Sequence, residues 1–176
     1  MKTYWLIIII TLLIVACKPK DNPTVSPTVP LDSIYTSGHF TNHKDYYNSQ
    51  HQVYDFDMLS DGLHFDSAGY IVGTGCNLCL SDVFVHKDCT SIPSGKYKMD
   101  SIAKEMTFLR SRDFEDNHLT GTYLLEIKEN LINRIILFTS GEMTIDYNDG
   151  DTIMNFMLYT ADSSKYCATY IGYANQ

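Results

Sequence analysis

From Thr120 to the C-terminus the chain reads in period two, and that alternation constrains the fold more than any other feature. Thr120 to Lys128, Ile132 to Thr139, Glu142 to Tyr147, Thr152 to Tyr159 and Lys165 to Tyr173 are five strand-like runs with short connections. Asn148-Asp149-Gly150-Asp151 supplies a hairpin turn, its Asp-Gly pair accepting the positive φ such turns need. Asp162-Ser163-Ser164 makes the last turn. The earlier half is less regular. Val53 to Leu59 sets Tyr54, Phe56 and Met58 on one face and Asp55 and Asp57 on the other. Ser60-Asp61-Gly62 turns the chain, and Leu63 and Phe65 begin a run that stops at Asp66-Ser67-Ala68-Gly69. Tyr70 to Val85 reads as one long strand, or as two broken at Gly73-Thr74-Gly75. Pro93-Ser94-Gly95 is a turn, and Lys96 to Met99 leaves it as a short strand. Ser101 to Arg112 is the one helix candidate, although Met106 to Leu109 fits a strand equally. Roughly nine or ten strands in about 125 residues predict an all-β fold, an antiparallel β-sandwich, with a lipocalin-like β-barrel as the alternative.

The N-terminus follows different rules. Lys2 gives a positive start, and Tyr4 to Val15 form an apolar run too short to cross a bilayer comfortably. Ile14-Val15-Ala16-Cys17 ends it. This tetrapeptide resembles the lipobox of bacterial lipoproteins. The resemblance implies cleavage before Cys17, a diacylglyceryl thioether on its sulfur and an acylated (palmitate-type) amino terminus. Several acyl chains make such an anchor effectively permanent, where one holds only marginally. The alternative is an ordinary secretory signal with a chance cysteine at its end.

Removing residues 1–16 leaves 160 of the 176 residues, enough for one domain with a single core. Lys2 leaves with them, so 12 basic side chains face 21 acidic ones, a net charge of −9. That balance argues against nucleic acid and against peripheral binding to anionic lipid. The membrane contact is therefore expected from the acyl chains, with the domain held off by repulsion. The single tryptophan, Trp5, leaves with the signal, whereas twelve of thirteen tyrosines stay, which suits strands. Pro19, Pro23, Pro27 and Pro30 punctuate the stretch after Cys17. It is expected to be an extended tether that reaches roughly 40 Å from Lys18 to Pro30 at about 3.1 Å per residue. The expected organisation is a signal peptide over 1–16, lipidated cysteine and tether over 17–35, and one domain over 36–176. Lys18 is not the aspartate that retains enteric lipoproteins at the inner membrane, which favours the outer membrane. The leaflet, periplasmic or cell-surface, is open.

Within the domain the order of motifs carries a second resemblance. Leu59-Ser60-Asp61-Gly62 is followed by Gly73-Thr74-Gly75 and Leu78-Cys79-Leu80, then by Ile92-Pro93-Ser94-Gly95-Lys96-Tyr97 and Thr107-Phe108. Gly121-Thr122-Tyr123, Ser140-Gly141-Glu142-Met143-Thr144-Ile145 and Tyr170-Ile171-Gly172 complete it. The series resembles small β-sandwich outer-membrane lipoproteins of the Bacteroidales, mostly of unassigned function. It implies a fold and a location. These are turn-and-strand motifs, and they bring no active-site residues.

Four cysteines remain beside Cys17: Cys76, Cys79, Cys89 and Cys167. An even count in an exported chain suggests disulfides, with three possible pairings. Cys76 and Cys79 sit three apart in an extended segment and face opposite ways, so bridges from either to Cys89 or Cys167 are expected instead. Free buried thiols and a zinc site are alternatives; the latter lacks a second closely spaced pair. His39, His43 and His51 fall in a polar stretch read as a solvated loop. On a helix, the four-residue step from His39 to His43 would place two imidazoles for a metal. Asp113 to His118 and Asp146 to Asp151 lack the calcium-loop spacing and read as acidic loops.

No nucleophile elbow, phosphate loop or zinc-protease motif is present, and no catalytic residue, metal or cofactor is assigned. Tyr166 and Tyr170 alternate on one run and are the candidates for a sugar- or peptide-binding face, or else ordinary sheet stabilisers. The expected function is a lipid-anchored, non-enzymatic interaction module of the cell envelope. Its expected partners are the membrane through Cys17 and a glycan, a peptide or another envelope protein. The alternatives are a barrel holding a small apolar molecule and an envelope enzyme.

Overall fold

The computed structural model describes residues 32–44, 50–113 and 119–173, and all of its regular elements are strands. In chain order they are β1 (Asp32–Lys44), β2 (His51–Ser60), β3 (Leu63–Phe65), β4 (Ile71–Gly73) and β5 (Gly75–His86). β6 (Gly95–Asp100), β7 (Thr107–Leu109), β8 (Arg112–Asp113) and β9 (Leu119–Thr120) follow. The last five are β10 (Thr122–Lys128), β11 (Leu131–Leu137), β12 (Ser140–Asn148), β13 (Asp151–Tyr159) and β14 (Lys165–Gly172). The all-β expectation holds.

The sheet closes on itself. Eight strands run round a barrel in the order β5-β2-β1-β14-β13-β12-β6-β7, and β7 returns to β5 through Val83–Phe108 and Phe84–Thr107. The architecture is thus a closed barrel, not the expected pair of sheets. Period-two alternation is common to both, because each hides one face of every strand. The pairings that close the ring join residues far apart in sequence. One of them is parallel, β1 beside β14 from Asp32–Cys167 to Tyr35–Tyr170, and so is β6 beside β7. These two parallel pairs also set the ring apart from a simple up-and-down meander.

The long strand β5 has two partners along one edge. Gly75 to Leu80 pair with β10, and Val83 and Phe84 pair with β7. The switch comes at Asp82, whose φ of 65° marks a bulge and whose amide donates to Asp55 Oδ1 at 2.7 Å. Hairpin β10–β11 therefore leaves the ring as a flap. Gly121 makes the departure possible. Its φ is +78°, and a Cβ there would lie 2.0 Å from the Arg110 carbonyl oxygen, so no side chain fits.

Twenty-two buried side chains form the main core, most of them on the ring strands, such as Tyr35, Phe56, Met58, Leu78, Tyr97, Phe108, Phe156 and Tyr170, with Leu124 of the hairpin and Phe138 packed onto them. An eight-stranded ring has an interior just wide enough for side chains to fill or for one small ligand. A smaller layer lies outside: Leu63, Phe65 and Ile71 of hairpin β3–β4 cover Leu59, Leu125 and Ile127.

Several expected turns are in place. Asn148 pairs with Asp151 across Asp149 and Gly150, both at positive φ. β4 ends at Gly73 and β5 begins at Gly75, so the Tyr70–Val85 run is two strands. The Ser101–Arg112 helix candidate is a loop leading into β7. The larger difference lies earlier, where the expected tether end and polar loop are β1. This 13-residue strand starts at Asp32, inside the expected tether. Its apolar face is only Tyr35 and Phe40, too sparse to read locally, and it is held by β2 on one side and β14 on the other. Cys17, the rest of the tether and the Asp113–His118 loop from Phe114 onward lie outside the described residues.

Candidate functional site

The strand Lys165–Gly172 alternates in burial, and its even-numbered positions point into the barrel. Tyr166 and Tyr170, the candidates for a ligand face, are both turned inward and are 5% and 1% exposed. Tyr170 packs edge-on against Phe40, with ring centres 5.5 Å apart, and Tyr166 lies 5.6 Å from Phe138. The hydroxyls of Tyr35 and Tyr166 meet at 2.7 Å, and Tyr166 also donates to Ser33 Oγ at 3.2 Å. Burial raises the Tyr35 phenol well above its ordinary range and raises that of Tyr166 too, so both stay neutral at ordinary pH and serve as hydrogen-bonding core groups.

All four domain cysteines are free thiols. Cys76 faces the core and Cys79 the outside of the same strand, as the three-residue step requires. The expected bridges are not formed, and the geometry gives the reason. Strands β1 and β2 stand between Cys79 on β5 and Cys167 on β14. At about 4.8 Å per strand they are at least roughly 14 Å apart across the sheet. The register adds seven residues along it, since Cys79 lies level with His39 and Cys167 with Asp32, so a disulfide is out of reach. Cys89 packs against the barrel core beyond the far end of β5, away from Cys76, while Cys79 faces outward. Four thiols scattered in this way do not assemble the zinc set either.

On the outer wall Cys79 donates to Asp57 Oδ1 at 3.2 Å, and Asn77 Nδ2 reaches the same oxygen at 3.4 Å. Burial first, and the Asp57 carboxylate second, push this thiol well above its ordinary range. It is a protonated donor, not a nucleophile. His39 and His43 lie on β1, so the helix-face metal arrangement does not arise. Four residues of strand separate their backbones by about 13 Å. His43 Nε2 contacts Asp55 Oδ2 at 2.9 Å, His39 rests edge-on to Phe65 and His51 edge-on to Phe84.

One end of the barrel is capped by residues 87–94. Ile92 is 2% exposed and belongs to the core. Tyr147 donates to its carbonyl at 2.6 Å and Tyr97 to that of Pro93 at 2.8 Å. Gln52 Nε2 donates to the Lys87 and Cys89 carbonyls at 2.7 and 2.8 Å. These bonds hold the segment over the lumen as a plug.

The surface that departs from this closed economy is β11. Among the described residues it ends the sheet with β10 as its single neighbour. None of its seven residues is buried, and Leu131, Ile132 and Ile135 are 73%, 59% and 44% exposed. Its one charge, Arg134, faces Glu126 at 3.6 Å. A free strand edge presents unpaired amides and carbonyls to any extended chain. The sequence held a signal for this surface that period-two reading passes over. Leu131-Ile132 and Ile135-Ile136-Leu137 place apolar residues at both parities, which a strand with one buried face does not require. Comparison of the chain with protein families, with curated proteins and with solved structures finds no match.

Proposed function

We propose that this chain is a lipid-anchored protein of the bacterial outer membrane whose barrel is a non-enzymatic interaction module. In this reading it takes an extended peptide segment of an envelope partner onto the free edge of β11. The observation that carries the reading is the contrast between a lumen filled by its own side chains and an edge strand with no buried residue. Strand addition draws affinity from main-chain hydrogen bonds and specificity from alternate side chains, here Ile135 and Leu137 on one face. The lipobox-like Ile14-Val15-Ala16-Cys17 supports the anchor, and Lys18 after it favours the outer membrane.

An array of extended envelope-derived peptides, probed with the full chain, tests the module. Binding that is abolished by Ile135→Lys, a charge placed on the edge strand, is the expected outcome. A folded protein that binds no peptide, or whose binding ignores Ile135→Lys, rejects it.

A second reading rests on barrel closure itself: a lipocalin-like carrier of a small apolar molecule. It requires the Ile92 plug to leave and core side chains to move aside. Saturable uptake of a fluorescent fatty acid by the native protein would favour it over the edge-binding module.

A further inference from the structure

We infer that the tip of hairpin β10–β11, through Leu131 and Ile132, inserts into the headgroup layer of the bilayer that holds Cys17, and so fixes which end of the barrel faces the membrane. The inference goes beyond the interaction module, and it rests on the anchor reading.

The argument starts from where the chain enters the fold. β1 begins at Asp32, fifteen residues after Cys17. At no more than about 3.3–3.6 Å each, those residues span at most roughly 50 Å, and they attach the anchor to the entry end of β1 and not to the opposite end of the barrel. The register then connects that end to the flap. Tyr35 pairs with Ser60, Ser60 Oγ accepts the Cys76 amide at 2.8 Å, Cys76 pairs with Glu126, and Glu126 pairs with Arg134. One residue further toward the same end come Ile34 on β1 and the Ile127–Ile132 pair on the hairpin. The entry of the chain and the hairpin tip therefore share one end of the barrel, four strand spacings or about 19 Å apart.

The tip is braced outward. Asn130 donates its amide to the Gly73 carbonyl at 3.0 Å and receives the Gly73 amide on Oδ1 at 2.5 Å. The Glu129 amide donates to Thr74 Oγ1 at 2.9 Å. The exposure of the two apolar side chains that follow is thus imposed by a docked turn. Ile34, 62% exposed, stands on the same end.

Charge points the same way. Residues 128–137 carry Lys128, Glu129 and Arg134, a net charge of +1 in a chain that is −9 after removal of residues 1–16. The hairpin tip itself therefore adds nothing to the repulsion expected between this acidic domain and the membrane. An interfacial apolar contact is buried about 5–10 Å into the headgroup and acyl boundary, a depth two adjacent exposed side chains reach.

The mature sequence lacks tryptophan, so Leu131→Trp introduces a single reporter at the tip. The control is Tyr173→Trp, at a residue 69% exposed that follows Gly172, the partner of Thr152 beside the β12–β13 turn. Each full-length variant is exported, acylated and reconstituted in phosphatidylcholine vesicles, with and without brominated acyl chains. Mass spectrometry of the N-terminal peptide reads the anchor independently. The expected result is blue-shifted emission quenched several-fold by bromolipid for Leu131→Trp and neither effect for Tyr173→Trp. In the native sequence, amides 130–133 should also exchange more slowly on vesicles than in detergent-free solution of the Cys17→Ser chain. Acylated Cys17 with aqueous emission from Leu131→Trp overturns the inference and leaves the anchor. Equal quenching at both positions overturns the orientation. An unmodified Cys17 removes the anchor and the inference together.

Discussion

β14 and β11 look alike as sequence, two short runs rich in apolar residues, yet the fold uses them in opposite ways. β14 alternates, buries Tyr166, Ala168 and Tyr170, and is hydrogen-bonded on both sides by β1 and β13. β11 carries apolar residues at both parities, has one neighbour among the described residues and has no fully buried residue, only Ile136 packing in part against the core. In a closed ring each wall strand has a neighbour on both sides, and each inward side chain trades water for core. The flap gains neither benefit along its free side. The wall therefore holds the stability, and the flap holds the surface left for contact.

The sharpest way to break this comparison is to truncate one aromatic of the wall. Tyr170→Ala should cost about 3–5 kcal/mol, the range for deleting a large buried aromatic, because its ring fills the space over Gly38 and against Phe40. Urea unfolding followed by tyrosine fluorescence would show it. A loss under about 1 kcal/mol would mean that the wall is not the stabilising part.

Alkaline pH probes the same interior without mutation. Burial holds Tyr35 and Tyr166 protonated in the fold, above the ordinary phenol value of 10.0 that the unfolded chain has. The stability they lend is complete below pH 10 and is lost as pH rises above it. Tyr35, whose shift is large, should steepen the fall by up to about 1.4 kcal/mol per pH unit, and Tyr166 adds in the same direction. Denaturant midpoints between pH 9 and 12 measure this slope. Tyr35→Phe should flatten it by about one group's share, since Tyr166 keeps its bond to Ser33.

The smallest effect belongs to the flap. Ile135→Ala should cost less than about 1 kcal/mol, because the side chain is already 44% exposed. A cost similar to that of Tyr170→Ala would erase the distinction between the two strands.

Much of the C-terminal half was legible because its information is local. Alternating burial and the Asp149-Gly150 turn place β12, β13 and β14 within a residue or two, and the glycines at 73 and 75 mark the break before β5. β1 was not legible. Its outward side chains are Ile34, His39, Thr41 and His43, and only long-range pairing with β2 and β14 makes a strand of them. The candidate face of Tyr166 and Tyr170 was placed on the right strand but pointed inward, since alternation gives the face and not its direction.

By itself, the sequence determined that the domain is made of strands, where many of them turn, and that an apolar run ending in Cys17 precedes them. Periodicity and turn chemistry act over a few residues, so they survive without tertiary context. Only the tertiary structure decided that the strands close into a barrel, that the four cysteines stand as free thiols with Cys79 and Cys167 three strands apart, and that β11 keeps an open edge among the described residues. Each of those outcomes depends on which distant strands hydrogen-bond, through β5 with β7 and β1 with β14, and no local pattern encodes that choice.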